Sequence, residues 1–263
     1  AYGETLRRPG FAQLNPNIIY VEDVTNIGYG TATGGNPDLA PTESKNYDLS
    51  LEWYFAPGSA LYGTLFRREI EGMVTDFRRR VTYQDYDYIL TQPDNASNGE
   101  LEGLELGVVY FPENLPGLLD GFGVQASYTA LDSSQDVPVT NSAGEVVDTL
   151  TSPMFGISDS SYSVVLAYER NRFSARASYV WRDDFLHHYE AALFANPLGV
   201  FFNAESSLDF QLSYDAAENW TVTFDATNLT NELYQSYYQY PSTHNFGTGL
   251  YSRTFALGFR YRF

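Results

Sequence analysis

Cysteine is absent from this 263-residue chain, which removes disulfide frameworks and thiolate zinc sites from consideration. Lysine is nearly absent too: Lys45 is the single one among 15 basic residues, set against 33 acidic residues and a formal net charge of −18. So acidic a chain lacks the basic footprint that a nucleic-acid binder needs. Long apolar runs are missing, and at a mean hydropathy of −0.31 no segment reads as a transmembrane helix. No leader-like segment opens the chain, whose first residue is Ala1. Histidine is scarce, at His187, His188 and His244, and the 3.6-residue periodicity of amphipathic helices hardly occurs. What the chain has in excess is rings. Tyr (22), Phe (18) and Trp (3) make up 16% of an otherwise hydrophilic sequence.

Alternation with a period of two recurs from end to end and predicts strands. It is clearest where Phe255, Leu257, Phe259, Tyr261 and Phe263 alternate with Thr254, Ala256, Gly258, Arg260 and Arg262. Leu208–Tyr214 and Trp220–Ala226 repeat it, as do Phe173–Trp181, Tyr162–Tyr168, Phe122–Ala130, Leu104–Tyr110 and Tyr47–Phe55. Leu61–Val74 is a further strand whose alternation is blurred by Arg67, Arg68 and Glu69, and Tyr2–Arg8 is a weaker candidate. The total is about ten strands of about ten residues, the length a tilted strand needs to cross a bilayer.

The links between them alternate in length. Ala56–Ala60, Pro112–Gly121, Glu169–Arg172 and Asp215–Asn219 are short. Pro9–Glu43, Asp76–Asn98, Asp132–Ser160, Asp183–Glu205 and Asn228–Ser252 are long and polar. In an antiparallel meander this gathers short turns at one end of the sheet and long loops at the other, the asymmetry of outer-membrane barrels. A soluble β-sandwich or propeller would alternate as well. Two features favour the membrane. The apolar faces, the blurred strand aside, carry no Asp, Glu, Lys or Arg. Rings also bracket the short turns: Trp53 and Phe55, Tyr110 and Phe122, Tyr168 and Phe173, Tyr214 and Trp220. Rings at one end of successive strands form an interfacial girdle. The opposite face then lines a lumen, where Glu52, Glu105, Arg172, Arg176, Arg182, Asp209, Asp225 and Arg260 sit without penalty.

Three stretches resemble a known family: Leu6–Pro16 (LRRPGFAQLNP), Gly35–Glu43 (GNPDLAPTE) leading into Tyr47–Phe55, and Ala226–Glu232 (ATNLTNE) followed by a strand closing on Tyr261-Arg262-Phe263. The chain is similar to the C-terminal part of TonB-dependent outer-membrane receptors. The terminal Phe263, with Tyr261 and Phe259 before it, resembles the signal read by the outer-membrane assembly machinery, although Ala256 stands where a polar residue is common. The resemblance implies an all-β fold, an antiparallel transmembrane β-barrel segment of about ten up-and-down strands from a barrel of about 22. Residues 1–263 are then expected to be the C-terminal portion of the barrel domain, without the plug or the TonB-contacting box. An open ten-stranded sheet leaves two unpaired edges in lipid, so the alternative is a complete small ten-stranded barrel. The expected function is TonB-energised uptake of a nutrient, foremost an oligosaccharide, with a ferric siderophore as the alternative. A passive porin or a small outer-membrane barrel enzyme would be a different class. Expected partners are outer-membrane lipid and lipopolysaccharide, the receptor's own plug and other barrel half, the TonB complex through that plug, and a small-molecule ligand. The expected location is the bacterial outer membrane.

No catalytic constellation has convincing spacing, no cofactor is expected, and the chain is read as a non-enzyme. On a regular strand the adjacent His187 and His188 point to opposite faces, which predicts no metal site; only His244 with an unidentified Asp offers the start of a protease dyad. Asp94–Glu100 has the composition of a calcium loop without the EF-hand spacing, and reads as a loop returning to a strand. Asp132, Asp136, Glu145, Asp148 and Asp159 are solvated loop charges or weak cation sites. Arg78, Arg79 and Arg80 form the basic cluster, suited to lipopolysaccharide phosphates or, more simply, to pairing with carboxylates. The leading ligand candidates are Tyr234, Tyr237, Tyr238, Tyr240, His244 and Asn245, joined by His187, His188, Tyr189 and Phe194 from the preceding long link. Stiff rings beside polar donors suit sugars or planar chelators. Loop-to-loop packing is the simpler alternative.

Overall fold

The computed structural model describes residues 1–22, 28–141, 146–190, 198–240 and 244–263. Its strands are β1 (Tyr2–Arg7), β2 (Ile18–Val21), β3 (Gly30–Gly34), β4 (Thr42–Ala56), β5 (Ser59–Tyr83), β6 (Tyr86–Tyr110), β7 (Phe122–Thr140), β8 (Val146–Ser152) and β9 (Ser160–Arg170). They continue with β10 (Phe173–Arg182), β11 (Phe185–Glu190), β12 (Leu198–Phe202), β13 (Glu205–Ala217), β14 (Trp220–Thr227), β15 (Leu233–Tyr238), β16 (Asn245–Leu250) and β17 (Thr254–Tyr261). Ten of them form the path β1-β4-β5-β6-β7-β9-β10-β13-β14-β17 within a 13-stranded sheet, and these are the ten strands expected from alternation. β2, β3 and β8 branch from that path, β3 running parallel to β6.

Register shows why alternation was so legible. Phe210 pairs with Ala226 and Leu212 with Phe224, while Val222 faces Phe259 and Phe224 faces Leu257. On the other side Ala175 lies between Leu212 and Tyr168, and Val124 lies opposite Leu166. From β7 to β17 one face is therefore apolar without interruption, and its large side chains are half-buried to exposed, Leu257 keeping 64% of its surface. The alternate face pairs Ser178 with Asp209 and Gln211 with Asp225, whose side chains hydrogen-bond at 2.8 Å. A sheet polar on one face and charge-free on the other follows directly from the two-residue side-chain period.

The long links differ from expectation. Among the described residues, 76–98 is almost wholly strand and each of the other links contains strands of its own, because the hairpins continue past the length a bilayer requires. β5 and β6 have 25 residues each, or about 80 Å at ~3.3 Å per residue. They meet at Gln84 and Asp85, which have φ of 51° and 61°, the signature of a type I′ hairpin turn. Asp94–Glu100 accordingly lies inside β6, and Asn95 acts there as a staple rather than a cation ligand. Its carboxamide donates to the carbonyls of Ala40 (3.0 Å) and Gly72 (2.7 Å) and accepts from the Ala40 amide.

Two compact units can be distinguished. The first comprises Ala1–Asp48, Phe66–Glu102 and Ser133–Met154. Its core is Ala32, Tyr88 and Leu90, flanked by Ile18, Tyr20, Val81 and Tyr86. The charges that blur β5 are paired within it: Arg67 lies 2.7 Å from Glu100, and Arg68 lies 2.5 Å from Asp48. The second comprises Leu49–Leu65, Gly103–Asp132 and Phe155–Phe263. Its short turns are tight. Gly121 has a φ of +98°, and a Cβ there would lie 2.2 Å from the Glu169 carbonyl oxygen, so only glycine fits.

Candidate functional site

The rings beside the short turns meet in cross-strand pairs. Phe122 packs against Tyr168 with centroids 4.7 Å apart, and Phe173 against Tyr214 at 4.6 Å. Phe55 stacks on Tyr110 at 6.1 Å and touches Trp53 at 5.6 Å. Trp220 pairs with Tyr261, and Tyr261 in turn with Phe263. Phe259 is exposed on the same face of β17. Register places the Phe122–Tyr168, Phe173–Tyr214 and Trp220–Tyr261 pairs on the apolar face.

At the opposite end, a four-stranded sheet of order β11-β12-β15-β16 follows strand for strand the order β10-β13-β14-β17. Each of its strands is joined to its counterpart by a break of two to five residues, at 183–184, 203–204, 228–232 and 251–253. The candidate ligand residues that are described all lie on or beside this sheet. Its centre is well packed: Leu186 and Val200 keep 1% and 0% of their surface.

Register divides the candidates between two faces. Val200 pairs with Tyr238 and Phe202 with Ser236, so Tyr234, Ser236 and Tyr238 share a face with Phe202. Tyr234 packs on Phe202 at 4.7 Å, and burial followed by the neighbouring Tyr251 raises its phenol pKa. Tyr238 lies 5.2 Å from both His244 and Phe246, and Phe246 lies 5.9 Å from His188. The three histidines of the chain are thus gathered round one ring cluster. Tyr237 belongs to the other face, where it stacks on Phe201 at 5.6 Å. Tyr237 and Tyr238 therefore do not form a single platform. The Asn245 carboxamide nitrogen lies 3.1 Å from the carbonyls of Ser236 and Gly247, and bridges β15 to β16. Tyr189 meets Phe155 edge-on at 5.8 Å, and Tyr240 is exposed beyond the end of β15. Phe194 and Glu145 lie outside the described residues.

Strict alternation fails at two positions in this sheet. The β11–β12 register skips from Leu186 to His188, and the β15–β16 register skips Phe246. A bulge sets two successive side chains on roughly one side of the strand. His187 and His188 are brought together in this way, contrary to the expectation for adjacent strand residues. Their Nδ1 atoms are 2.7 Å apart, and the His187 ring also packs edge-on against Phe202 at 4.5 Å. Burial, then His188, lowers the His187 pKa.

Charges beside the four-stranded sheet, and separately those of the β5–β6 hairpin, are mostly committed. Arg182 lies over the Phe185 ring at 4.0 Å and donates to the Ser158 hydroxyl. Asp159 is raised in pKa by burial and then by Asp183, Asp132 and Asp184. In the β5–β6 hairpin Arg80 pairs with Asp87 at 2.6 Å and Arg79 donates to Gln92 at 2.5 Å. The Thr82 hydroxyl and then Arg80 hold the Asp87 carboxyl below its usual range. Sequence reasoning missed Phe185, Phe201, Phe202, Phe246 and Asp184. The short apolar run Leu198–Phe202 was the available signal, hidden by its place inside a polar link.

An antiparallel meander with one continuous, exposed, charge-free face is a segment of a transmembrane β-barrel. The sequence matches the family described as TonB dependent receptor-like, beta-barrel over residues 1–229, and the chain belongs to that family. Its fold is similar to a mutant of the ferric enterobactin receptor PfeA from Pseudomonas aeruginosa (17% identity, TM-score 0.63). It is also similar to the siderophore receptor PirA from Acinetobacter baumannii (12% identity, TM-score 0.67). All of this chain is covered in both, but it spans only 37% and 38% of the two receptors. The PirA receptor of Pseudomonas aeruginosa matches 88% of the chain at a TM-score of 0.55 and 17% identity. A comparison with curated protein sequences returns no match.

Proposed function

We propose that this chain is barrel wall and external hairpins of a receptor in the outer membrane of a Gram-negative bacterium. The receptor takes up a small ligand with energy delivered through TonB. One observation carries the reading: a charge-free exposed face runs from β7 to β17 in a chain of this family. The residues form the C-terminal portion of the barrel domain, and the plug and the remaining wall belong to the rest of the receptor. Trp53, Phe55, Tyr110, Phe122, Tyr168, Phe173, Tyr214 and Trp220 make the girdle at the periplasmic interface. Phe259, Tyr261 and Phe263 make the assembly signal, and the external strands lie beside lipopolysaccharide.

As substrate we favour a ferric siderophore. The similar structures are named as siderophore receptors, and a ring-lined external sheet suits planar chelating groups. An oligosaccharide is the second reading, favoured by the exposed rings of Tyr240, Phe246 and Tyr251. A strain lacking the gene separates the two. Loss of growth on ferric siderophores under iron limitation, restored by the gene, supports the first reading. Loss confined to oligosaccharides as carbon source replaces it with the second. Normal growth under both conditions overturns both. Steady channel conductance of the whole receptor in a planar bilayer would point instead to a passive porin.

A further inference from the structure

We propose that His187 and His188 chelate a divalent copper ion through their two Nδ1 atoms, at an open site on the β11 bulge. Adjacent histidines on a regular strand are directed away from each other, and the skipped register at His187 removes that constraint. The Nδ1 atoms share a hydrogen bond of 2.7 Å, with the rings at 83° to each other, and a metal ion takes the place of the shared proton once both rings carry their proton on Nε2.

That separation selects a geometry. Two nitrogens each ~2.05 Å from a metal ion and 2.7 Å apart subtend about 82° at the metal. Tetrahedral coordination would hold them about 3.3 Å apart. The pair therefore matches two cis positions of a square-planar or tetragonal ion, the preference of copper(II) and nickel(II) rather than zinc. Copper is favoured between these two by its intrinsically higher affinity for nitrogen donors.

The surroundings agree. His187 is exposed and His188 half-buried, so the pair is accessible from one side and held from the other by Phe202 and Phe246. Among the described residues no group of three or more His, Asp or Glu side chains gathers as a metal cage. The remaining coordination positions are thus left to water or to donors carried by an arriving molecule. The site does not depend on which substrate the receptor carries.

The test uses the intact receptor purified in detergent and titrated with copper(II) chloride. Electron paramagnetic resonance is expected to show one tetragonal copper per chain with hyperfine splitting from two nitrogens. His187→Gln and His188→Gln should each weaken binding by about tenfold or more, since even second-shell changes cost 10–100-fold. His244→Gln should leave binding unchanged. A readout that needs no variant is diethylpyrocarbonate labelling of the wild type: copper should protect His187 and His188 but not His244. A two-nitrogen signal that survives in the double variant would overturn the site, as would labelling unaffected by copper. Displacement of copper by equimolar zinc would overturn the cis geometry.

Discussion

The Tyr237 hydroxyl donates to an Asp184 carboxylate oxygen 2.5 Å away while its ring stacks on Phe201, so one side chain ties β15 to β12 and to the β10–β11 break. Burial and this bond hold the phenol pKa well above its ordinary value. Tyr237→Phe keeps the stack and loses the bond, which should cost about 1 kcal/mol of local stability. Hydrogen exchange should read this as roughly fivefold faster exchange at the amides of β12 and β15. Ligand affinity should stay the same, because the hydroxyl is already committed.

Leu257 and Ala256 are adjacent on β17 and test which face meets lipid. Leu257 lies opposite Phe224 on the apolar face and Ala256 opposite Asp225 on the polar one. Leu257→Arg should destabilise the receptor refolded in lipid vesicles by about 2–4 kcal/mol, whereas Ala256→Arg should be nearly neutral. Equal costs at both positions would place neither face in lipid.

The β5–β6 hairpin holds two ordinary L-residues, Gln84 and Asp85, at positive φ. Replacing them with Asn-Gly should stabilise the hairpin tip by about 1 kcal/mol, because glycine and asparagine tolerate that conformation. Slower exchange of the amides flanking the turn is the expected readout.

Asp159 is exposed yet partly desolvated, and that desolvation followed by the nearby Asp183, Asp132 and Asp184 raises its pKa. The native state holds its proton more firmly than the unfolded chain does. This contribution to stability is full below the ordinary carboxylate pKa of about 3.9 and is lost as pH rises through the raised native value. Asp159→Asn should therefore be more stable than the wild type at neutral pH, with the difference vanishing in acid. Denaturation midpoints measured across that range check the sign.

The ten strands and the side of each that carries rings were legible because a strand displays every second residue, and a lipid face admits no charge. The long links read as loops from sequence for the converse reason. Once a hairpin leaves the bilayer neither face must be apolar, so Asp76–Asn98 and the described parts of Asp183–Glu205 lose their alternation while β5, β6, β11 and β12 continue to pair. Candidate residues in those links were found by type, not by placement, and Tyr237 and Tyr238 were grouped although a strand sends neighbours to opposite faces.

The sequence by itself determined the ten-stranded meander, its two faces and the ends at which turns are short, since local periodicity and solvent contrast act residue by residue. Only the tertiary structure decided what the external strands do. The pairing of β12 with β15 joins segments distant in the chain, and the register skips within the β11–β12 and β15–β16 hairpins carry no compositional mark. Those skips bring His187 against His188 and Phe246 beside Tyr238. A bulge is a decision of the whole ladder, made by backbone hydrogen bonds that any residue can form.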